Sequence, residues 1–192
     1  MVGDLASLES EARRAASCTA CELSATRGRV VFGTGPPDAS VVVVGEGPGA
    51  EEDASGVPFV GRSGALLTSL LDEVGLDRSG IYVTNVVKCR PPGNRPPRTL
   101  EIKACRHFLV TQLGRIDPVV VVTLGNVATR AVLGRREPIS ALRGGRHLSA
   151  LTSAVVVPTF HPAAGLRGGA RVVAMIRADL ALAAELATAD PQ

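Results

Sequence analysis

Four cysteines, a glycine-acid loop, one Asn inside an apolar run and a His set before a Pro are the residues of this chain that could do chemistry. Cys18-Thr-Ala-Cys21 is a C-x-x-C pair whose local turn can present two thiolates to one metal centre, and Cys89 and Cys105 could approach it from later in the chain. Four thiolates suit tetrahedral zinc or an iron–sulfur cluster, and the spacing separates neither from the other. A thioredoxin-like redox pair fits less well, because the pair precedes the strands instead of opening a helix after the first one. Unrelated buried thiols are the plain alternative. A shared metal site would tie the N-terminal helix and the segment Lys88–Arg106 to the rest of the fold.

The stretch "VVVVGEGPGAEEDASGVPFVGRSG", Val41 to Gly64, begins as a buried strand and breaks into a loop rich in Gly and carboxylates. Missing side chains at Gly45, Gly47 and Gly49 let backbone N–H groups approach a ligand closely. No Gly-Lys-Ser/Thr follows and no G-x-G-x-x-G is present, so neither phosphate-binding pattern applies. Glu46, Glu51, Glu52 and Asp53 would repel a bare phosphate. A neutral planar ligand with hydrogen-bonding edges fits better, with Phe59 as its stacking face. Phe59 reads equally as a core residue, and Glu51 and Asp53 read as a solvated loop.

Asn85 interrupts "IYVTNVV", a run otherwise built to be buried. A buried amide must find partners, and one that both donates and accepts suits the adjacent carbonyl and N–H of a pyrimidine edge. His161, in "PTFHPAAGLRGG", could hydrogen-bond an oxygen on which negative charge develops. A strand-end Asn and an ordinary loop His are the bland readings. His107 and His147 have no comparable context.

These groups need elements to hold them. Val41–Val44, Ile81–Val87, Val119–Thr123 and Val155–Phe160 are nearly continuous in apolar character, as strands covered on both faces should be. Helical patterns span Ser63–Val74, where Leu66, Leu67, Leu70, Leu71 and Val74 make one stripe, and about Asp4–Ala16, Leu100–Leu113, Asn126–Leu133 and Arg171–Ala187. Asp4 is the expected N-cap of the first. Alternation of strand and helix predicts right-handed crossovers and a three-layer α/β/α fold around a central four-stranded parallel sheet. In such sheets ligands sit beyond the carboxyl ends of the strands, where the loop after Val44, Asn85 and His161 all fall.

The 192 residues, 45% apolar with only 3% aromatic, fit a single domain over 1–192 with a Val, Leu and Ala core. A formal charge of +3 is modest. All basic residues except Lys88 and Lys103 are Arg, which suits bidentate phosphate contacts and also a GC-rich genome. No repeat or low-complexity linker divides the chain. Neither a signal-peptide core nor a membrane-length apolar run is visible, so a cytoplasmic location is expected.

Taken together, "GEGPGAEEDASGVPFVGRSG", "YVTNVVKCRPPGNRPP", "LGNVA" and "FHPAAGLR", with the four cysteines, resemble the family 4 uracil-DNA glycosylases, the iron–sulfur type. The resemblance runs from Cys18 through Arg167. It implies that Cys18, Cys21, Cys89 and Cys105 ligate a structural [4Fe–4S] cluster. Phe59 would stack on a flipped uracil, Asn85 would read its polar edge and the Gly47 backbone would lie against the base. His161 would hydrogen-bond uracil O2, Glu46 would position or activate water, and Glu52 would stand near the base pocket. The segment Ala163–Arg167 corresponds to the intercalating loop, with Leu166 as wedge and Arg167 as phosphate contact.

The implied reaction is hydrolysis of the N-glycosidic bond after base flipping, in base excision repair. No motif positions a Lys amine, so a monofunctional enzyme is expected. A monomer acting on uracil-containing single- or double-stranded DNA in the nucleoid is expected as well. Two departures stand out. Ala163, Ala164 and Gly165 are small where the family often carries bulkier residues, which favours single-stranded DNA. Lys88 runs straight into Cys89-Arg90-Pro91-Pro92 without the His-bearing insertion of the branch that traps DNA covalently, so no covalent adduct is expected. Glu46 with Asn85 also argues against the broader family 5 branch. The competing readings are a glycosylase with a wider deaminated-base range, a non-catalytic iron–sulfur or zinc DNA-binding module, and an electron-transfer protein.

Overall fold

A computed structural model describes residues 5–189. Five strands form one sheet: β1 (Val41–Gly45), β2 (Tyr82–Asn85), β3 (Val120–Leu124), β4 (His147–Ser149) and β5 (Thr152–Thr159), in the order β2-β1-β3-β5-β4. β2, β1, β3 and β5 are parallel, whereas β4 joins the edge antiparallel to β5. The expected four parallel strands are therefore present, and the strand count is corrected to five. β4 escapes the apolar-run signal because it is three residues long and not buried, with Leu148 84% exposed.

Every residue of β1, β2 and β3 is buried, and the Val runs explain why. Alternate side chains point to opposite faces, so each strand feeds two cores. Val42, Val44, Tyr82 and Val121 pack with Leu8, Phe108, Leu109 and Val132 from α1 (Leu5–Ala16), α4 (Thr99–Ile116) and α5 (Gly125–Leu133). Val41, Val43, Val83, Val120 and Val122 pack with Leu67, Leu70, Leu71, Ile176 and Leu180 from α3 (Arg62–Glu73) and α7 (Pro162–Thr188). The expected N-cap Asp4 lies outside the described residues.

Two short helices were not foreseen. α2 (Ala50–Ser55) folds out of the acidic loop, and α6 (Ile139–Leu142) precedes β4. In α2 the acidic residues Glu51, Glu52 and Asp53 occupy the first turn, where the positive end of the helix dipole favours them. Asp53 is buried, not solvated: its carboxylate accepts Gly28 N at 2.9 Å and Arg29 N at 3.3 Å. α7 contains a break at Gly169, whose φ of 67° and ψ of −163° separate a first two turns from the long helix predicted from Arg171. Among the described residues, no helix is long and apolar enough to cross a membrane.

Candidate active site

A cleft of about 600 Å³ opens beyond the carboxyl ends of β1, β2 and β5. Glu46, Gly47, Glu52, Phe59, Asn85, His161 and Arg167 all line it, so seven residues singled out from sequence meet in one place.

Gly45 ends β1 directly opposite Asn85 in β2. A Cβ on Gly45 would lie 2.4 Å from Asn85 Oδ1 and 2.6 Å from Phe59 Cζ, so its bare backbone is what admits both side chains. Phe59 has a φ of 57°, an uncommon conformation for a bulky residue. Gly64 lets it persist, because a Cβ there would stand 1.8 Å from Phe59 O. The Phe59 ring sits 5.9 Å from the His161 ring at 31°. Glu52 is the clasp of this loop: its carboxylate accepts Gly49 N at 3.0 Å and Val60 N and Gly61 N at 3.1 Å each. Both its oxygens are thus engaged in shaping the wall that carries Phe59.

Asn85 is 1% exposed, and its Oδ1 is buried with no hydrogen-bond partner. Buried polar atoms without partners are costly, and such an atom facing a cleft marks where a ligand donor belongs. His161 caps α7: its Nδ1 accepts the Ala163 N–H at 3.1 Å. That bond leaves the ring proton on Nε2. Burial, reinforced by the Arg167 charge and opposed by Glu52, lowers the His161 pKa to about 4. The imidazole is therefore neutral, with an N–H to donate. Burial also raises the half-exposed Glu46 carboxyl above its ordinary value, which makes it a better base once ionised.

The wedge segment departs from expectation. Ala163–Arg167 is helical, the opening of α7, and not a loop. Leu166 is 44% exposed and does not line the cleft, whereas Arg167 does. Gly165 is small for packing reasons: a Cβ would press at 3.2 Å on Leu66 and Val173.

Cys18, Cys21, Cys89 and Cys105 line a separate small cavity, walled by Ala15, Ala20, Ala104 and Phe108 and edged by Arg27 and Lys88. None is in a disulfide. Arg27 donates to Cys89 Sγ at 3.5 Å and to Cys18 O at 2.7 Å, and Lys88 N donates to Cys105 Sγ at 3.3 Å. Burial pushes the Cys89 thiol up to about 11 and Cys105 upward, with Arg27 and Lys88 respectively opposing. Among the described residues no three His, Cys, Asp or Glu side chains stand close enough to hold one metal ion. Four thiols around one cavity are the donor set that either tetrahedral zinc or an iron–sulfur cluster takes.

Sequence reasoning missed two supports. Lys88 is buried beneath Asn85, and Asp179 is buried beneath the end of β5. Asp179 accepts Thr159 Oγ1 at 2.6 Å and the Arg143 fork at 2.7 and 3.0 Å, which pins the strand that delivers His161. A lone charge amid apolar residues was the available signal for Lys88; Asp179 had none beyond its place on the apolar face of a helix.

The model of the Uracil DNA glycosylase superfamily matches residues 32–180. A type-4 uracil-DNA glycosylase of Thermotoga maritima is 48% identical over 161 residues, covering 83% of each chain. One from Sulfurisphaera tokodaii is 41% identical over 83% of this chain and 76% of its own. A type-5 uracil-DNA glycosylase of Thermus thermophilus is 36% identical over 62% of each chain. The chain belongs to the uracil-DNA glycosylase superfamily and, within it, to the type-4 family.

Proposed function

We propose that this chain is a monofunctional glycosylase that hydrolyses the N-glycosidic bond of uracil in DNA, leaving an abasic site for base excision repair. The observation that carries the reading is the unpartnered, buried Asn85 Oδ1, facing a cleft that also holds the Phe59 ring and a neutral His161.

The uracil must leave the base stack to enter the cleft. Phe59 stacks on it and the Gly47 backbone lies along it. Asn85 accepts the N3–H at Oδ1 and donates from Nδ2 to O4. His161 donates Nε2–H to O2. As the bond from C1′ to N1 lengthens, the sugar takes on oxocarbenium character and the electron pair moves onto uracil. The hydrogen bonds from His161 and Asn85 strengthen as that charge grows, so they favour the transition state over the ground state. A water oriented by Glu46 adds to C1′ and passes its proton to the Glu46 carboxylate. Among the described residues no lysine lines the cleft, which supports hydrolysis without strand cleavage. Arg167 holds a flanking phosphate and Leu166 contacts the gap left by the flipped base.

The four thiols hold a [4Fe–4S] cluster whose role is structural, cross-linking the N-terminal segment, Cys89 and α4. The chain works as a single-domain monomer over residues 1–192, in the cytoplasm on nucleoid DNA. The Glu46 and Asn85 pair favours uracil over other deaminated bases.

The test is base release from end-labelled oligonucleotides carrying uracil, hypoxanthine or thymine, single- and double-stranded, with and without alkali. Alkali-dependent cleavage at uracil alone is expected. Cleavage without alkali would overturn the monofunctional mechanism, release of hypoxanthine would widen the substrate range, and binding without release would leave a DNA-binding module.

A further inference from the structure

Lys88 lines the cysteine cavity and bonds the main chain of Asn85, a cleft residue. It is 1% exposed, and burial lowers its pKa to about 7, with Cys105 opposing, so the oxygens around it are what favour the ammonium over the neutral amine. Its Nζ donates to Thr84 Oγ1 at 2.6 Å, to the Asn85 main-chain oxygen at 2.7 Å and to Gln112 Oε1 at 2.5 Å. An ammonium has three protons and no acceptor, so three oxygens satisfy it in full. Those oxygens are themselves held. Thr84 Oγ1 donates to Phe32 O at 2.8 Å, and Gln112 Nε2 donates to Phe32 O at 2.8 Å and to Tyr82 OH at 3.1 Å. At its other end the Lys88 N–H donates to Cys105 Sγ.

A buried charge is an expensive way to fill this space; apolar residues of similar volume would be at least as stabilising. What the ammonium supplies is direction. β2 ends at Asn85, and the chain then turns toward Cys89. The Asn85 Oδ1 has no hydrogen-bond partner, so no hydrogen bond at that atom fixes where the carboxamide points. Its peptide carbonyl is fixed, by Lys88.

We infer that Lys88 is a positioning residue for uracil release: its buried ammonium clamps the Asn85 peptide so that the carboxamide stays aimed into the cleft, and its main chain anchors that clamp to the cysteine cage at Cys105. The inference rests on the uracil-releasing reading above. It also gives the cage a task beyond holding the fold together. The cage fixes one end of the segment whose other end reads the base.

The test is a double-mutant cycle on the full-length, cluster-loaded protein. Lys88→Met is compared in the native and Asn85→Ala backgrounds by single-turnover uracil release from a single-stranded oligonucleotide. DNA affinity by fluorescence anisotropy, visible absorbance and melting temperature accompany each variant. Lys88→Met/Gln112→Met, which replaces the cation and one acceptor together with apolar groups, carries the test if the single variant folds poorly. The expected result is release slowed about 10- to 100-fold, with DNA affinity and absorbance unchanged, and no further slowing in the Asn85→Ala background. Equal slowing in both backgrounds would overturn the inference, as would slowing that merely tracks lost absorbance. A native protein that releases no uracil would instead remove the underlying reading.

Discussion

The cleft and the cysteine cavity are built from the same stretch of chain, Thr84 to Cys89, yet they treat polar groups in opposite ways. In the cavity, Arg27 and the Lys88 amide each reach a sulfur, and the Lys88 ammonium has all three protons placed. In the cleft, Asn85 Oδ1 is left alone, and Phe59 is held at a positive φ. Satisfied buried groups fix local geometry without the penalty of an unmade bond. Unsatisfied ones hold a place for something that binds. Three residues separate Asn85, in the cleft, from Cys89, in the cavity.

Several substitutions would break or sharpen this contrast. Removing a cage thiol should have the largest effect. Cys105→Ala should abolish the broad visible absorbance of a cluster and remove a large share of the roughly 5–15 kcal/mol that holds a domain folded. Retention of the native melting temperature and a colourless protein would contradict the structural role of the site. In the cleft, His161→Ala and Asn85→Ala should each slow uracil release about 10²- to 10³-fold. Asn85→Ala should leave the melting temperature unchanged or slightly higher, whereas His161→Ala, which also removes the cap of α7, should cost about 1 kcal/mol of stability without unfolding the protein. Unfolding by either variant would place these residues with the cage and not opposite to it.

Gly64→Ala tests the border between the two behaviours. Its Cβ would collide with Phe59 O, so the loop must move, at about 1–3 kcal/mol of stability, and the Phe59 ring moves with it. A loss of activity larger than the loss of stability is expected, read by single-turnover release against a melting curve.

The smallest effect is that of pH. The neutral His161 keeps its form until about pH 4, so it contributes no limb to the rate profile near pH 6.5. Because its folded pKa lies below the unfolded one, the unfolded chain takes up the proton first, and stability falls as pH drops from about 6.5 toward 4. The acid limb of the rate should instead follow Glu46, above the ordinary glutamate value, and Glu46→Gln should flatten it. An acid limb centred near 6.5 and lost in His161→Ala would show a titrating imidazole instead.

Much of this was legible before any coordinates. Unbroken Val runs require two covered faces, which is a parallel sheet between helices, and four such runs marked β1, β2, β3 and β5. The loop after Val44, Asn85 and His161 then had to share the carboxyl edge. β4 was invisible because an edge strand of three residues needs no apolar run. Ala163–Arg167 was expected as a loop from the family resemblance, but His161 caps a helix there through its own Nδ1.

The sequence by itself determined the layers and the edge where Phe59, Asn85 and His161 lie, since these follow from periodicity and from side-chain chemistry. Glu46, Gly47, Glu52 and Arg167 came into the site through the family resemblance. Only the tertiary structure decided what each group does with its hydrogen bonds. It turned Glu52 toward three backbone N–H groups, made His161 a neutral donor, left Asn85 Oδ1 free, and drove Lys88 under the base-reading strand end. The reason is that periodicity is local, whereas the partners of Lys88 and Asp53 lie up to 24 or 25 residues away along the chain and meet only once the sheet has formed.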